Sequence, residues 1–300
     1  MINLDVKPMK TLLLSFLSLC FTAQLYAGGL LVIAANNKAQ ISEGSTWKSV
    51  SIGDEIPEGK FKLADGGYVG LMHPDGIPIE LTEAGEYDVK GLLAVNADNE
   101  SIGEKYLKYV VNDLTDSGEE SYLETMELTG SVDRGFFDQY PIKLFAPERS
   151  RMLDKKVQLS WEYADAEEFK VTLFNMKEEA LKTWSTKGSS FDMDCSKFDI
   201  EDGQFFIAQV KDKKGNTSKK IFLQVPEDHE VIHNSRNLIQ LLTTKAEKSP
   251  IAKIQLAKWM EEQGFLVNSF NILREVNADF EGVPSFEKSL SEFKARHKIY

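Results

Sequence analysis

Residues 157–175 read VQLSWEYADAEEFKVTLFN, with apolar and polar side chains alternating at both ends of the stretch. Val157, Leu159 and Trp161 fall on one face of an extended chain, and the run that begins at Phe169 repeats the pattern. Alternation with a period of two is typical of strands that bury one face. The stretch therefore predicts two β-strands whose inward side chains are core residues.

The same short spacing continues on both sides of this stretch. Turn residues at Asp202-Gly203 and Lys214-Gly215-Asn216 separate further apolar runs, and together they predict a seven-stranded β-sandwich. The candidate strands are 142–145, 157–162, 169–175, 181–185, 191–195, 205–210 and 221–225.

Cys195 ends one of these alternating runs, after Phe191 and Met193. A reactive cysteine needs a nearby cation or a helix N-terminus, and the strand supplies neither. We therefore expect Cys195 to be a buried, unreactive thiol.

The chain upstream of the sandwich reads as a small all-β unit from Leu30 to Val89, with turns such as Asp65-Gly66-Gly67 between short strands. His73 lies in one of these turns and is expected to be a loop side chain. A capping box formed by Ser101 and Glu104 then predicts a single amphipathic helix over 101–114.

After Pro226 the apolar period changes to 3.6, which predicts α-helices to the end of the chain. Pro250 and Pro284 are placed at helix starts, whereas Gly264 and Gly282 are placed in turns. The fold class is therefore multidomain, mainly β and then α. The predicted helices are 228–246, 250–263, 266–277 and 284–297, and the predicted domains are 1–27, 28–125, 126–226 and 227–300.

The first domain in this division has the composition of a secretory signal peptide. Lys7 and Lys10 precede the apolar run 11–27, and small residues follow it at Gly28 and Gly29. Cleavage would leave a periplasmic or secreted chain that retains Cys195 but not Cys20, so no intramolecular disulfide is expected.

Two alternatives to cleavage remain open. If the apolar run continues to Ala34, it is long enough to act as an uncleaved membrane anchor. Cys20 could instead carry a lipid, although Leu19 stands where a lipoprotein signal has a small residue. No second apolar run of spanning length follows, so no stable transmembrane span is expected once the leader is removed.

The composition is that of an acidic, folded protein. Hydrophobic residues make up 42% of the chain, and 35 basic residues against 47 acidic ones give a net charge of −12. The acidic residues are spread along the sequence, which argues against nucleic acid or an anionic membrane as the main partner.

The sequence HEVIH at 229–233 matches H-E-x-x-H, in which two histidines bind zinc and the glutamate activates water. His229 and His233 would share a helix face with Arg236, and a cation one turn from Zn²⁺ is unfavourable. We therefore predict no catalytic, metal-ligating or cofactor-binding residue. A zinc metallopeptidase remains the alternative, with Glu247, Glu261 or Glu262 as the third ligand.

Three segments resemble known families. Residues 46–92 resemble the FecR-like extracytoplasmic domain through Trp47, the run IGDEIPEG at 52–59, GYVGL at 67–71, IPIEL at 77–81 and GEY at 85–87. The middle domain is similar to fibronectin type III sandwiches through LSW at 159–161, FKV at 169–171 and the turn at 202–205, with Phe205 and Phe206 where a tyrosine is usual. Residues 257–276 resemble a tetratricopeptide-like hairpin.

These resemblances imply protein–protein contacts and supply no catalytic residue. Our leading hypothesis is a non-catalytic envelope-associated or secreted bacterial protein that binds or scaffolds a protein partner, with the helical tail expected to dock it. A regulator of signalling across the envelope is a third hypothesis, implied by the FecR-like resemblance alone.

Overall fold

The computed structural model describes residues 28–94, 140–163, 168–227, 240 and 249–299. Several predicted features lie outside these residues: the signal peptide 1–27, the helix at 101–114, the sequence HEVIH at 229–233 and all of the helix 228–246 except Gln240.

The N-terminal unit consists of two four-stranded sheets. The first sheet has the order β4-β1-β6-β7 and the second sheet has the order β3-β2-β5-β8, and every pairing is antiparallel. A short helix, α1, follows the last strand and is capped by Asp88. The elements are β1 (Leu30–Ala35), β2 (Ala39–Glu43), β3 (Thr46–Ser49), β4 (Glu55–Ile56), β5 (Lys60–Leu63), β6 (Val69–Met72), β7 (Pro78–Leu81), β8 (Gly85–Asp88) and α1 (Val89–Leu93).

Strand β1 is apolar along its whole length and contributes to two different cores. Leu30 and Val32 pack into the core between the two sheets. Ile33, at a register shift in the pairing with β6, and the following Ala34 pack into a second core that contains the C-terminal helices. The first sheet is therefore the middle one of three layers.

The middle unit is a β-sandwich, as predicted. Its three-stranded sheet has the order β14-β11-β9, and its five-stranded sheet has the order β10-β16-β15-β12-β13. The strands are β9 (Lys143–Leu144), β10 (Arg149–Arg151), β11 (Lys156–Glu162), β12 (Phe169–Phe174), β13 (Ala180–Thr186), β14 (Ser190–Asp194), β15 (Phe205–Asp212) and β16 (Ile221–Gln224).

All seven predicted strands are present in the sandwich, and the structure adds β10, which pairs in parallel with β16. The predicted inward residues form the core: Val157, Leu159 and Trp161 are buried together with Phe169 and its alternating neighbours. This arrangement confirms the period-two interpretation of these strands.

The C-terminal segment contains three described helices, α2 (Pro250–Glu262), α3 (Leu266–Asp279) and α4 (Pro284–His297). They match the predicted ranges to within two residues. Ser249 caps α2, since its hydroxyl accepts a hydrogen bond from the Ala252 N–H at 3.0 Å. Among the described residues, no helix combines the length and apolar character needed to cross a bilayer.

The helical segment packs against both β-units. Ile251, Ile254 and Ala257 of α2 belong to the same buried cluster as Ile33 and Ala34 of the first sheet. At the start of α3, the Val267 N–H donates to the Ser150 hydroxyl of the sandwich at 3.1 Å. The helices that the sequence predicted to dock a partner therefore cover surfaces of their own chain.

Candidate functional sites

A half-buried carboxylate joins the N-terminal unit to the first helix of the C-terminal segment. Glu80 lies in β7, and its Oε1 accepts hydrogen bonds from the Tyr68 hydroxyl at 2.7 Å and from the Ile251 N–H at 3.0 Å. Because Ile251 is in the first turn of α2, the carboxylate also faces the positive end of the helix dipole. Burial nevertheless raises the pKa of Glu80.

Tyr68 belongs to this junction through its ring as well as its hydroxyl. The ring lies 5.1 Å from that of Phe280 and 5.3 Å from that of Phe286, both contributed by the helical segment. Burial, together with the neighbouring charge of Glu80, raises the pKa of Tyr68 well above its usual value. The phenol is therefore a hydrogen-bond donor at physiological pH, and its role is to join layers.

Arg274 of α3 contacts the sandwich. Its guanidinium lies over the rings of Phe145 and Phe270, with centroid distances of 4.9 and 5.7 Å. It donates to the Ser160 hydroxyl, while Asn271 donates to the Gln158 carbonyl at 2.9 Å. Burial lowers the pKa of Arg274. These contacts hold α3 against β11.

A third junction closes the helical segment on itself. Glu261 of α2 accepts hydrogen bonds from Arg296 Nε at 2.9 Å and from Arg296 Nη2 at 3.0 Å, and its Oε1 lies 2.7 Å from His297 Nε2. Burial opposes ionisation of this carboxyl, but the hydrogen bonds from His297 and Arg296 outweigh it and lower the pKa to about 2. Glu261 is therefore a charged anchor for the end of α4.

These contacts bear on the zinc alternative. Glu261 is one of the three side chains that could have completed a zinc site, and both of its oxygens already accept hydrogen bonds from α4. Within the described ranges, no three His, Cys, Asp or Glu side chains are grouped so that they could hold a metal ion.

Cys195 is a fully buried core residue, as predicted. Burial, with a smaller contribution from Asp194, raises its pKa to about 11. The thiolate that would act as a nucleophile or metal ligand is therefore strongly disfavoured.

His73 lies in the predicted turn, but its side chain is buried. Its Nδ1 accepts a hydrogen bond from the Asp75 N–H at 3.1 Å, and its Nε2 lies 3.2 Å from the Leu93 carbonyl. Because Nδ1 accepts, the neutral ring carries its proton on Nε2, which then donates to the Leu93 carbonyl. The imidazole ties the turn to the end of α1.

The sequence did not predict the surface groove at one end of the sandwich. Met176, Leu181 and Phe205 are 52%, 51% and 50% exposed, and in the described part of the chain they are the large hydrophobic side chains with the greatest exposure. All three line one open groove of about 520 Å³, together with residues such as Phe198. The adjacent phenylalanines at 205 and 206 were the available signal, because neighbouring strand residues point to opposite faces.

Comparison with known proteins gives only distant likenesses. No protein-family model matches the chain, and no curated protein resembles it in sequence. Nineteen solved chains are similar to parts of it, and two of them illustrate the likeness. The first is the FN1–FN3 domains of chicken CNTN1, with 9% identity, a TM-score of 0.22 and coverage of 67% of this chain and 65% of that one.

The second solved structure is the BSP domain of a biofilm associated protein, with 11% identity and a TM-score of 0.20. The matched region covers 65% of this chain and 25% of that one. The chain therefore spans less than two thirds of either solved chain. The description of the sandwich rests on its strand order and not on these likenesses.

Proposed function

We propose that this chain is a non-catalytic binding or scaffold protein of the bacterial cell envelope that makes protein–protein contacts. The observation that carries the proposal is the groove on the sandwich, where Met176, Leu181 and Phe205 are exposed side by side. Exposed apolar patches of this kind are typical of interaction surfaces.

The charged and polar junctions described above fit a scaffolding role. Glu80, Arg274 and Glu261 each join two elements of the chain, so the shifted pKa values of these three side chains are explained by packing. The helical segment contacts both β-units and can hold them in one orientation. A scaffold needs that rigidity in order to present the groove to a partner.

The finer assignments belong to the same proposal. We place residues 1–27 as a cleaved signal peptide, 28–125 as a FecR-like β domain, 126–226 as the sandwich and 227–300 as a tetratricopeptide-like helical domain. Export to the periplasm or secretion follows from the leader. The short strands and tight turns of the N-terminal unit support the FecR-like assignment, and the successive helices joined by short turns support the tetratricopeptide-like one.

The test is capture of a partner by the intact mature chain, residues 28–300, from the envelope fraction of the producing bacterium. A partner that is enriched, purified and shown to rebind the chain with fixed stoichiometry would support the proposal. Enrichment of nothing above an unrelated acidic protein of similar size would refute it. About one zinc per chain, lost in His233→Ala, would instead favour the peptidase alternative.

A further inference from the structure

The five-stranded sheet of the sandwich carries an excess of positive charge on an acidic protein. Its strands contain one acidic residue, Asp212, which is buried and bonded to Asn216. They also contain five basic residues: Arg149, Arg151, Lys170, Lys182 and Lys211. The sheet is therefore a basic region within a chain whose net charge is −12.

Lysines also lie around Glu168, an acidic side chain at the margin of this sheet. Glu168, immediately before β12, is paired with Lys213. The hydrogen bond and charge of Lys213 lower the pKa of Glu168, and the charges of Lys187 and Lys170 add to the effect. Lys213 is engaged by Glu168, whereas Lys170 and Lys187 are exposed and carry further positive charge beside this pair. We call Lys170 and Lys187 the lysine cluster.

Strand β13 forms one edge of this sheet. It pairs with β12 on one side, and no other described strand pairs with it. Leu181, Lys182, Thr183 and Ser185 are exposed along it. An exposed edge of seven residues carries backbone N–H and C=O groups that an added strand can pair with.

The apolar groove and the lysine cluster lie at opposite ends of this edge. Leu181, near the start of β13, lines the groove, and Lys187 directly follows the end of the strand. Six residues of extended chain span about 20 Å, so a single short segment laid along β13 can reach both features.

We propose that the edge of β13 binds an extended acidic polypeptide segment, which adds to the five-stranded sheet as a further strand. An apolar side chain of this segment occupies the groove, and acidic side chains about six residues away pair with the lysine cluster. This inference rests on the proposed function and names the surface and the chemistry of the partner. A polypeptide is favoured over a polysaccharide or lipid because the edge offers backbone hydrogen-bonding groups in strand geometry.

The test uses synthetic peptides of nine residues with the mature chain, residues 28–300. The probe peptides carry two acidic residues at one end, threonine and valine in the middle and Leu-Phe at the other end. Each probe is made in two versions, one with the acidic residues at the N-terminus and one with them at the C-terminus. One control set replaces the acidic residues by lysine. A second control set has proline in the middle, which removes a backbone donor and disfavours strand pairing.

Fluorescence anisotropy should show binding of the acidic peptide in one direction and no binding of either control set. Lys187→Glu and Leu181→Asp should each weaken binding by about tenfold or more. Lys60→Glu, on the exposed side of β5, is the matched control and should leave binding unchanged. Failure of Cys195 to react with a thiol reagent establishes that each variant is folded.

Three results would overturn the inference: no peptide binds, lysine peptides bind as well as acidic ones, or Lys60→Glu weakens binding as much as Lys187→Glu. A dimer in sedimentation that Leu181→Asp dissociates, without peptide binding, would assign the edge to a second copy and also overturn it. If envelope capture persists in the Leu181→Asp, Lys187→Glu double variant, this inference fails while the proposed function stands. If the wild type captures nothing, the proposed function itself fails.

Discussion

Gly70 in β6 provides a sharp test of the contact between the N-terminal unit and the helical segment. A Cβ atom at this position would lie 2.8 Å from Ile251 Cδ1 of α2 and 3.0 Å from the Tyr68 hydroxyl. The backbone of Gly70 does not lie in the left-handed region, so alanine is strained there by crowding alone. We predict that Gly70→Ala destabilises this junction.

The size of the effect follows from the contact distances. Carbon atoms pack best at about 3.5–4.0 Å, so the Ile251 methyl must move by about 1 Å to accept the new atom. Overpacking a dense core in this way costs about 1–3 kcal/mol. The same movement would disturb the hydrogen bond from the Ile251 N–H to Glu80. We therefore expect the free energy of unfolding to fall by about 1–3 kcal/mol.

Urea unfolding of the mature chain, followed by circular dichroism, measures this loss. Gly85→Ala in β8 is the matched control, because the nearest atom to its added Cβ is at 3.8 Å, an ordinary contact. Ile251→Val removes the crowded Cδ1 atom and costs about 0.5–1.5 kcal/mol alone. In the Gly70→Ala background it should instead recover stability.

Equal stability of Gly70→Ala and Gly85→Ala would refute the reasoning, since only the former meets an atom of the helical segment. Additive losses in the Gly70→Ala, Ile251→Val double variant would refute it as well. In that case the crowding would not involve the Ile251 methyl, and the proposed contact between β6 and α2 would be wrong.

Further predictions concern three other side chains. Because the pKa of Glu261 is about 2 in the folded chain against 4.5 ordinarily, its stabilisation is complete above pH 4.5 and is lost as the pH falls toward 2. Glu261→Gln should therefore lower the free energy of unfolding by about 1–2 kcal/mol at pH 7, a value that is discounted because Arg296 is exposed. In urea unfolding at a series of pH values, the midpoint of the variant should also fall less steeply in acid than that of the wild type. An equally steep fall in the variant would contradict this. Cys195, with its pKa near 11, should not react with a thiol reagent at pH 8 until the chain is unfolded in guanidinium, and stoichiometric labelling of the native chain would contradict its burial. Arg274→Ala should lose the stacking on Phe145 and destabilise the chain by about 1–3 kcal/mol in thermal unfolding, whereas an unchanged midpoint would show that α3 does not depend on this contact.

The sequence predicted the local elements well because their signals are local. Pro250 and Pro284 mark helix starts, since proline lacks the N–H that the first turn leaves unpaired. Gly264 and Gly282 adopt positive φ angles in the turns between helices, which explains the accuracy of the helix ends. Strand alternation likewise identified the core of the sandwich.

Strand β10 was missed because nothing local distinguishes it. Arg149, Ser150 and Arg151 form a short polar run, and its strand conformation depends on parallel pairing with β16, some seventy residues later. That pairing is a tertiary interaction, and neither the alternation of apolar residues nor the turn residues in the sequence indicate it.

The packing of the helices on the first sheet was also missed, although β1 contained a signal for it. The run LLVIAA at 30–35 is apolar at every position, which is typical of a strand covered on both faces and not of one with a solvent-exposed side. Gly70 is a second sequence feature that indicates the same packing, because the absence of a side chain there leaves room for Ile251. The groove could be identified only from the folded structure, because its lining residues come from separate loops and strands.

The most direct test of the central claim, that the C-terminal helices complete the N-terminal unit, is hydrogen exchange of Phe286→Ala read by mass spectrometry. Phe286 is fully buried in α4 and lies 5.3 Å from the Tyr68 ring. We predict that peptides covering β1 and β6 lose protection together with α4, while those covering β15 in the sandwich keep theirs. Loss of protection confined to α4 would contradict it, because the first sheet would then be stable without the helices that cover it.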